Sequence, residues 1–161
     1  MDAPVGCRMT VRDRDRGAQA LLRRMKKRPK IRVGVMGSEA AEAKSVRGGG
    51  RGETTVIDVA TKHEFGIGVP KRSFITDWAD ESEEEAKRRL RKAAERIAEQ
   101  GNLEQELNRF GLWAQGEIQM RISRRIDPPI SQATVDRKGS DVPLIDTGQL
   151  RSSVTYDVDD G

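Results

Sequence analysis

His63 and Glu64 stand side by side and form the one imidazole–carboxylate pair in the chain, because His63 is its single histidine. Such a pair could supply a general base, yet no cysteine or second histidine lies at a supporting spacing, and no nearby serine is set up as a nucleophile. A zinc motif of the HExxH type needs a second histidine four positions after the first, where this chain carries Ile67. Asp146-Thr147-Gly148 matches the aspartic-protease triplet, but that chemistry needs two carboxylates sharing a proton, hence a homodimer. The polar stretch before it suits a turn better, with Asp146 bonding its own backbone two residues on. Gly48-Gly49-Gly50-Arg51-Gly52 lacks the Lys-Ser/Thr that follows the glycines of a phosphate-binding loop, and no strand leads directly into it. Cys7 is the only cysteine, so an internal disulfide and a cysteine-based zinc site are both excluded. The expectation is a non-enzyme with no cofactor and no metal.

The elements that hold these residues follow from composition and periodicity. The chain has 161 residues, 35% hydrophobic and 35% charged, with a net charge of +4. That size suits a single domain spanning 1–161, with a thin core and much charge on solvated or partner-facing surface. No apolar run approaches the roughly 20 residues that span a bilayer, and the N-terminus lacks the apolar core of a signal peptide, so neither membrane spanning nor secretion is expected. Charge is unevenly spread. Residues 1–36 carry 11 Lys/Arg against 3 Asp/Glu, whereas residues 139–161 carry one Arg against five Asp. The two ends could meet between neighbouring subunits or neutralise one another within one chain.

Within the basic N-terminal segment 1–29, Arg16–Arg28 places Ala20, Leu21, Leu22 and Met25 among cations, which predicts a short amphipathic helix stopped by Pro29. Ile31, Val33 and Val35 alternate with Lys30, Arg32 and Gly34, the pattern of a half-buried strand. A glycine-rich loop follows. Thr54–Phe65 fits a strand, a helix, or one running into the other, and Gly66, Gly68 and Pro70 break it. Phe65 is expected to pack, Gly66 to permit a tight turn and Pro70 to fix the approach to the next helix.

From about Phe74 the period is helical, with a stripe at Ala86, Leu90, Ala93 and Ile97. Acidic residues lead this helix and basic ones follow, in the order that complements the helix dipole. Gly101-Asn102 marks a break. A second stripe runs through Leu103, Leu107, Phe110, Ala114, Ile118 and Ile122 until Asp127-Pro128-Pro129 ends it. Leu90, Ile97, Leu107, Phe110 and Ile118 are the expected helical core. A long loop, 130–146, is expected to become ordered only against a neighbouring subunit. Leu150–Val158 alternates like a closing strand. The fold class is α+β: a small, mostly antiparallel sheet packed against two long amphipathic helices.

The order H-E-F-G (63–66), V-P-K-R-S-F-I (69–75), two helices, P-P-I-S (128–131), then P-L-I-D-T-G-Q-L-R-S-S-V (143–154) resembles the neck and tail-completion proteins of long-tailed bacteriophages. These are also described as minor tail components or virion-morphogenesis proteins. The resemblance spans about Val56 to Val158, and the basic N-terminal 30 residues and the glycine loop depart from it. It implies a structural virion subunit, assembled in the host cytoplasm, that forms a homo-oligomeric ring, expected to be a hexamer, at the head–tail junction. The implied partners are further copies of the chain, the head connector or stopper, and tail-terminator or tail-tube proteins, with genomic DNA passing through the channel and no membrane. Candidate subunit-interface residues are Arg23, Arg24, Lys26, Lys27, Phe65, Arg72, Phe74, Arg137, Lys138, Asp146 and Leu150. A tail-terminator ring protein of the same junction and a basic nucleic-acid-binding protein are the alternatives. Only six aromatic residues (three Phe, two Trp, one Tyr) are present for base stacking, which weighs against the latter. Steep salt dependence of binding to duplex DNA would favour it.

Overall fold

The computed structural model describes residues 19, 29–36, 43–44, 54–100, 102–145 and 148–159. The basic side chains Arg23, Arg24, Lys26 and Lys27, the glycine loop and Asp146-Thr147 lie outside the described residues. Chain order is β1 (Lys30–Val35), β2 (Ala43–Lys44), β3 (Thr54–Thr55), α1 (Val56–Phe65), α2 (Thr76–Gln100), α3 (Leu103–Ile122), α4 (Gln132–Lys138), α5 (Gln149–Ser152) and β4 (Val154–Asp159). The class is α+β, as its periodicities predict.

Strand β1 pairs antiparallel with β4, setting Ile31 opposite Val158, Val33 opposite Tyr156 and Val35 opposite Val154. This alternation puts one face of the ribbon on α3, where Gly111, Ala114, Ile118 and Ile122 recur at spacings of three and four and are buried. On the opposite face Arg32 pairs with Asp157 at 2.7 Å and lies 3.9 Å from Asp159. Part of the acidic C-terminal charge is therefore neutralised inside the chain.

Thr54–Phe65 is a strand running into a helix. Thr55 closes α1 with a capping box: its hydroxyl accepts from the Asp58 amide at 3.1 Å, while the Asp58 carboxylate accepts from the Thr55 amide at 2.9 Å. Gly66 ends α1 in the left-handed region at φ 73°, where its missing Cβ also avoids Lys71.

Between Gln100 and Leu103 the chain reverses, and α2 lies back on α3. Asn102 caps α3 by accepting from the Gln105 amide. Arg96 bonds Glu106, Arg89 lies 4.5 Å over the Trp113 ring, and Arg121 bonds Glu81, pairs spaced evenly about residue 101. The helices are antiparallel neighbours. Their contact is more aromatic and ionic than the expected stripe. Of that stripe only Ala93 is buried in α2, and Leu90 is 45% exposed. Trp78 and Phe110 instead meet Trp113, with ring centroids 5.9 and 5.3 Å away.

The core proper lies between α1, α3, α5 and β4: Val56, Ala60, Phe74, Ile118, Ile122, Leu144, Leu150 and Val154. Of the expected helical core, Ile118 belongs to this cluster, whereas Phe110 is half-buried beside Trp113. Phe110→Ala is therefore expected to cost about 2 kcal/mol, roughly half the cost of deleting a fully buried ring. Urea unfolding of the variant measures this, and a loss near 4 kcal/mol would place the ring in the core.

Three expectations are corrected. The stretch 130–146 is not all loop, because residues 132–138 form α4, ended by Gly139 at φ 71°. It is also held by its own domain, since Leu144 is in the core and Lys138 Nζ donates to the carbonyls of Val142 and Pro143. The closing strand begins at Val154 rather than Leu150, which sits in α5. Phe65 does not pack: it is 67% exposed, because Gly66 turns the chain away before the next element can cover it.

Candidate functional site

After α1 the chain doubles back along the helix it has just left. The Arg72 amide donates to the His63 carbonyl at 2.8 Å, and the Ser73 hydroxyl donates to the Glu64 carbonyl at 3.1 Å. This return places the Glu64 carboxylate against the amides that lead into α2. Its oxygens accept from Phe74 N at 2.9 Å, Ile75 N at 3.1 Å and Thr76 N at 2.8 Å. Glu64 is 6% exposed, so it is a buried anion satisfied by the amides at the positive end of a helix that begins twelve residues on. Burial raises its pKa, but the hydrogen bonds from Thr76, Phe74 and Ile75 outweigh burial and hold the carboxyl below its ordinary value.

Beside this knot a cleft of about 430 Å³ opens between α1, the return segment, α4 and the Pro143-Leu144 turn. Its walls include Val59, Val69, Pro129 and Leu144, and its polar groups are His63, Arg72, Ser131, Thr134, Arg137 and Lys138. Among the described residues no carboxylate lines it. Arg72 is 4% exposed, and its Nε and Nη2 both donate to the Pro128 carbonyl, at 2.9 and 2.6 Å. Burial lowers the Arg72 pKa, and among the described residues no carboxylate opposes it. His63 is half-buried and its Nδ1 has no hydrogen-bond partner among the described residues. Burial first, then the charges of Arg72 and Lys138, push His63 down to about 4. It is thus a neutral imidazole at neutral pH.

The expected interface residues separate into distinct groups. Phe74 and Leu150 are buried in the chain's own core, and Arg72 is an internal tie, so none of the three is a surface contact. Their apolar or cationic types suited an interface, but the return segment turns Arg72 and Phe74 inward and α5 buries Leu150. Arg137 is exposed on the last turn of α4, Lys138 is half-buried, and Phe65 protrudes with Ile67 at the end of α1. Asp146 and the four N-terminal cations lie outside the described residues. The fold therefore gathers Arg72, Arg137, Lys138 and Leu150 around one cleft, together with His63. Glu64's role in capping α2 had no sequence signal beyond its place beside His63.

Other features constrain chemistry less. Among the described residues no three His, Cys, Asp or Glu side chains come together as a metal set, and no helix is long and apolar enough to cross a membrane. No protein-family model, curated protein or solved structure matches the chain.

Proposed function

We propose that this protein is a structural subunit of the head–tail junction of a long-tailed bacteriophage, a tail-completion or neck protein that joins copies of itself into a ring. The observation that carries the reading is the fate of the residues behind the resemblance. H-E-F-G and V-P-K-R-S-F-I form one knot in which Glu64, Arg72, Ser73 and Phe74 are buried and mutually bonded or packed, while Phe65 and Ile67 are left on the outside. The motif thus builds a rigid support that presents apolar side chains rather than a reactive group.

Exposed apolar side chains on two different helices support self-assembly. Ile57, Phe65 and Ile67 are exposed on and just after α1, and Leu112 and Met120 are exposed eight residues apart on α3. A head-to-tail ring contact joins two unlike surfaces of each subunit, so two such places are what it needs. The small core is consistent with stability shared among neighbours.

The reading is tested by exchanging Phe65 and Ile67 together for glutamate. Both side chains are exposed, so the variant is expected to keep its circular-dichroism melting curve. Its parent is expected to form rings in negative-stain images and the variant to remain monomeric and fail to join tails to heads. A parent that stays monomeric at all concentrations, and whose removal leaves tails joined, would overturn the proposal.

A further inference from the structure

We propose that the cleft between α1, the return segment and α4 is an anion-binding site that takes a carboxylate carried on an aliphatic body, such as an acidic residue flanked by valines in an extended peptide. The inference stands on the cleft itself and does not rest on ring formation.

Arg72 is the first reason. A buried guanidinium is ordinarily matched by a carboxylate, because an unpaired buried charge is costly. Here its bonds go to a neutral carbonyl, and among the described residues no carboxylate pairs with it. Three described acids of the surrounding segments are engaged elsewhere. Glu64 serves the α2 amides, Asp136 accepts from Gln132, and Asp141 pairs with Arg125.

The second reason is what surrounds Arg72. Arg137 and Lys138 come from the last turn of α4, and the paired hydroxyls of Ser131 and Thr134 lie 3.0 Å apart on the same wall. The buried Nδ1 of His63 is a further polar atom with no bond among the described residues. Donors on one side and aliphatic walls on the other match a ligand with an anionic head and an apolar body. The cleft's volume of about 430 Å³ suits a few side chains. No Phe, Tyr or Trp ring lines it among the described residues, and its one imidazole, His63, is half-buried, so it offers a nucleic-acid base little to stack on.

His63 makes the test direct, since a single histidine gives one imidazole C2–H resonance. The isolated chain is titrated with N-acetyl-Val-Asp-Val-amide, its uncharged Val-Asn-Val counterpart, and inorganic phosphate. The acidic peptide is expected to shift the His63 resonance saturably and to raise its pKa from about 4, because an anion favours the imidazolium. The asparagine peptide is expected to leave both unchanged. Arg137→Glu, at an exposed position, is expected to keep the melting curve while weakening the peptide about tenfold. Absence of a saturable shift, equal binding of the asparagine peptide, or unchanged affinity in Arg137→Glu would overturn the proposal. Saturation by phosphate at lower concentration than by peptide would assign the cleft to a phosphate and overturn the carboxylate.

Discussion

Glu64→Ala is expected to destabilise the fold by about 3–5 kcal/mol, because the substitution strips an acceptor from three amides at once. A hydrogen bond to a charged group is worth about 1.5–3 kcal/mol, so three would exceed that range if they simply added. Water can reach the outer amides once the side chain is gone, which brings the loss down. The Phe74 amide keeps the larger share, since Phe74 is wholly buried. Glu64→Gln retains one acceptor oxygen and is expected to lose about 1–3 kcal/mol. The parent has a pH signature as well. Its Glu64 pKa lies below the unfolded value, so the stabilisation is fully present above about pH 4.5 and is lost as pH falls through the folded value. Glu64→Gln should flatten that acid limb. Urea unfolding at neutral pH and across the acid range measures both effects. An alanine variant with the parent's midpoint would show that the amides find other partners.

Gly111→Ala is the second large effect, and its sign runs against helix propensity. Inside a helix the change from glycine to alanine alone should add about 1 kcal/mol of stability. Here the new Cβ would stand 2.3 Å from Tyr156 Cδ2 and 2.6 Å from its Cγ. Those atoms lie close to the β4 backbone, and the ring's far end is tied by its hydroxyl to Asn108 Oδ1 at 3.1 Å. The ring cannot swing clear, so α3 and the sheet must move apart. Overpacking of this kind costs about 1–3 kcal/mol, and at the upper end of that range, less the propensity gain, a net loss of about 2 kcal/mol is expected. In a Tyr156→Ala background the same change should become neutral or stabilising, giving a coupling of about 2–3 kcal/mol in a double-mutant cycle. Equal effects in the two backgrounds would show that the ring is not the obstacle.

These two positions show where the sequence was legible and where it was not. Strand β1 was readable because Ile31, Val33 and Val35 alternate with polar or small residues, and the α2–α3 break because Gly101-Asn102 interrupts two stripes. Helix α4 was not, because none of its residues is buried and it carries no apolar stripe to read. Leu150 and Val154 are both buried and four apart, a spacing that serves two strand periods or one helical turn, so alternation alone starts the last strand too early. The cleft draws its groups from four separated segments, and Glu64's partners lie ten to twelve residues away across a reversal. Periodicity cannot encode such meetings. Of the expected interface residues, Phe65 and Arg137 are exposed, while Arg72, Phe74 and Leu150 turn inward because residue type alone does not tell a core from a contact.

The pairing of β1 with β4 sets a timetable for the newborn chain. Val35 and Val154 face each other across the ribbon, so β1 leaves the ribosome well over a hundred residues before its partner is made. At translation speeds of about 5–20 residues per second that interval is roughly 6–25 s, far longer than a helical hairpin such as α2–α3 needs to form. Throughout it Ile31, Val33 and Val35 have no strand to cover them. Lys30 and Arg32, interleaved with them, are the kind of charge that keeps a lone strand from joining the wrong one. When β4 arrives, the same Arg32 closes onto Asp157, so a side chain that first guards the strand ends as its clasp.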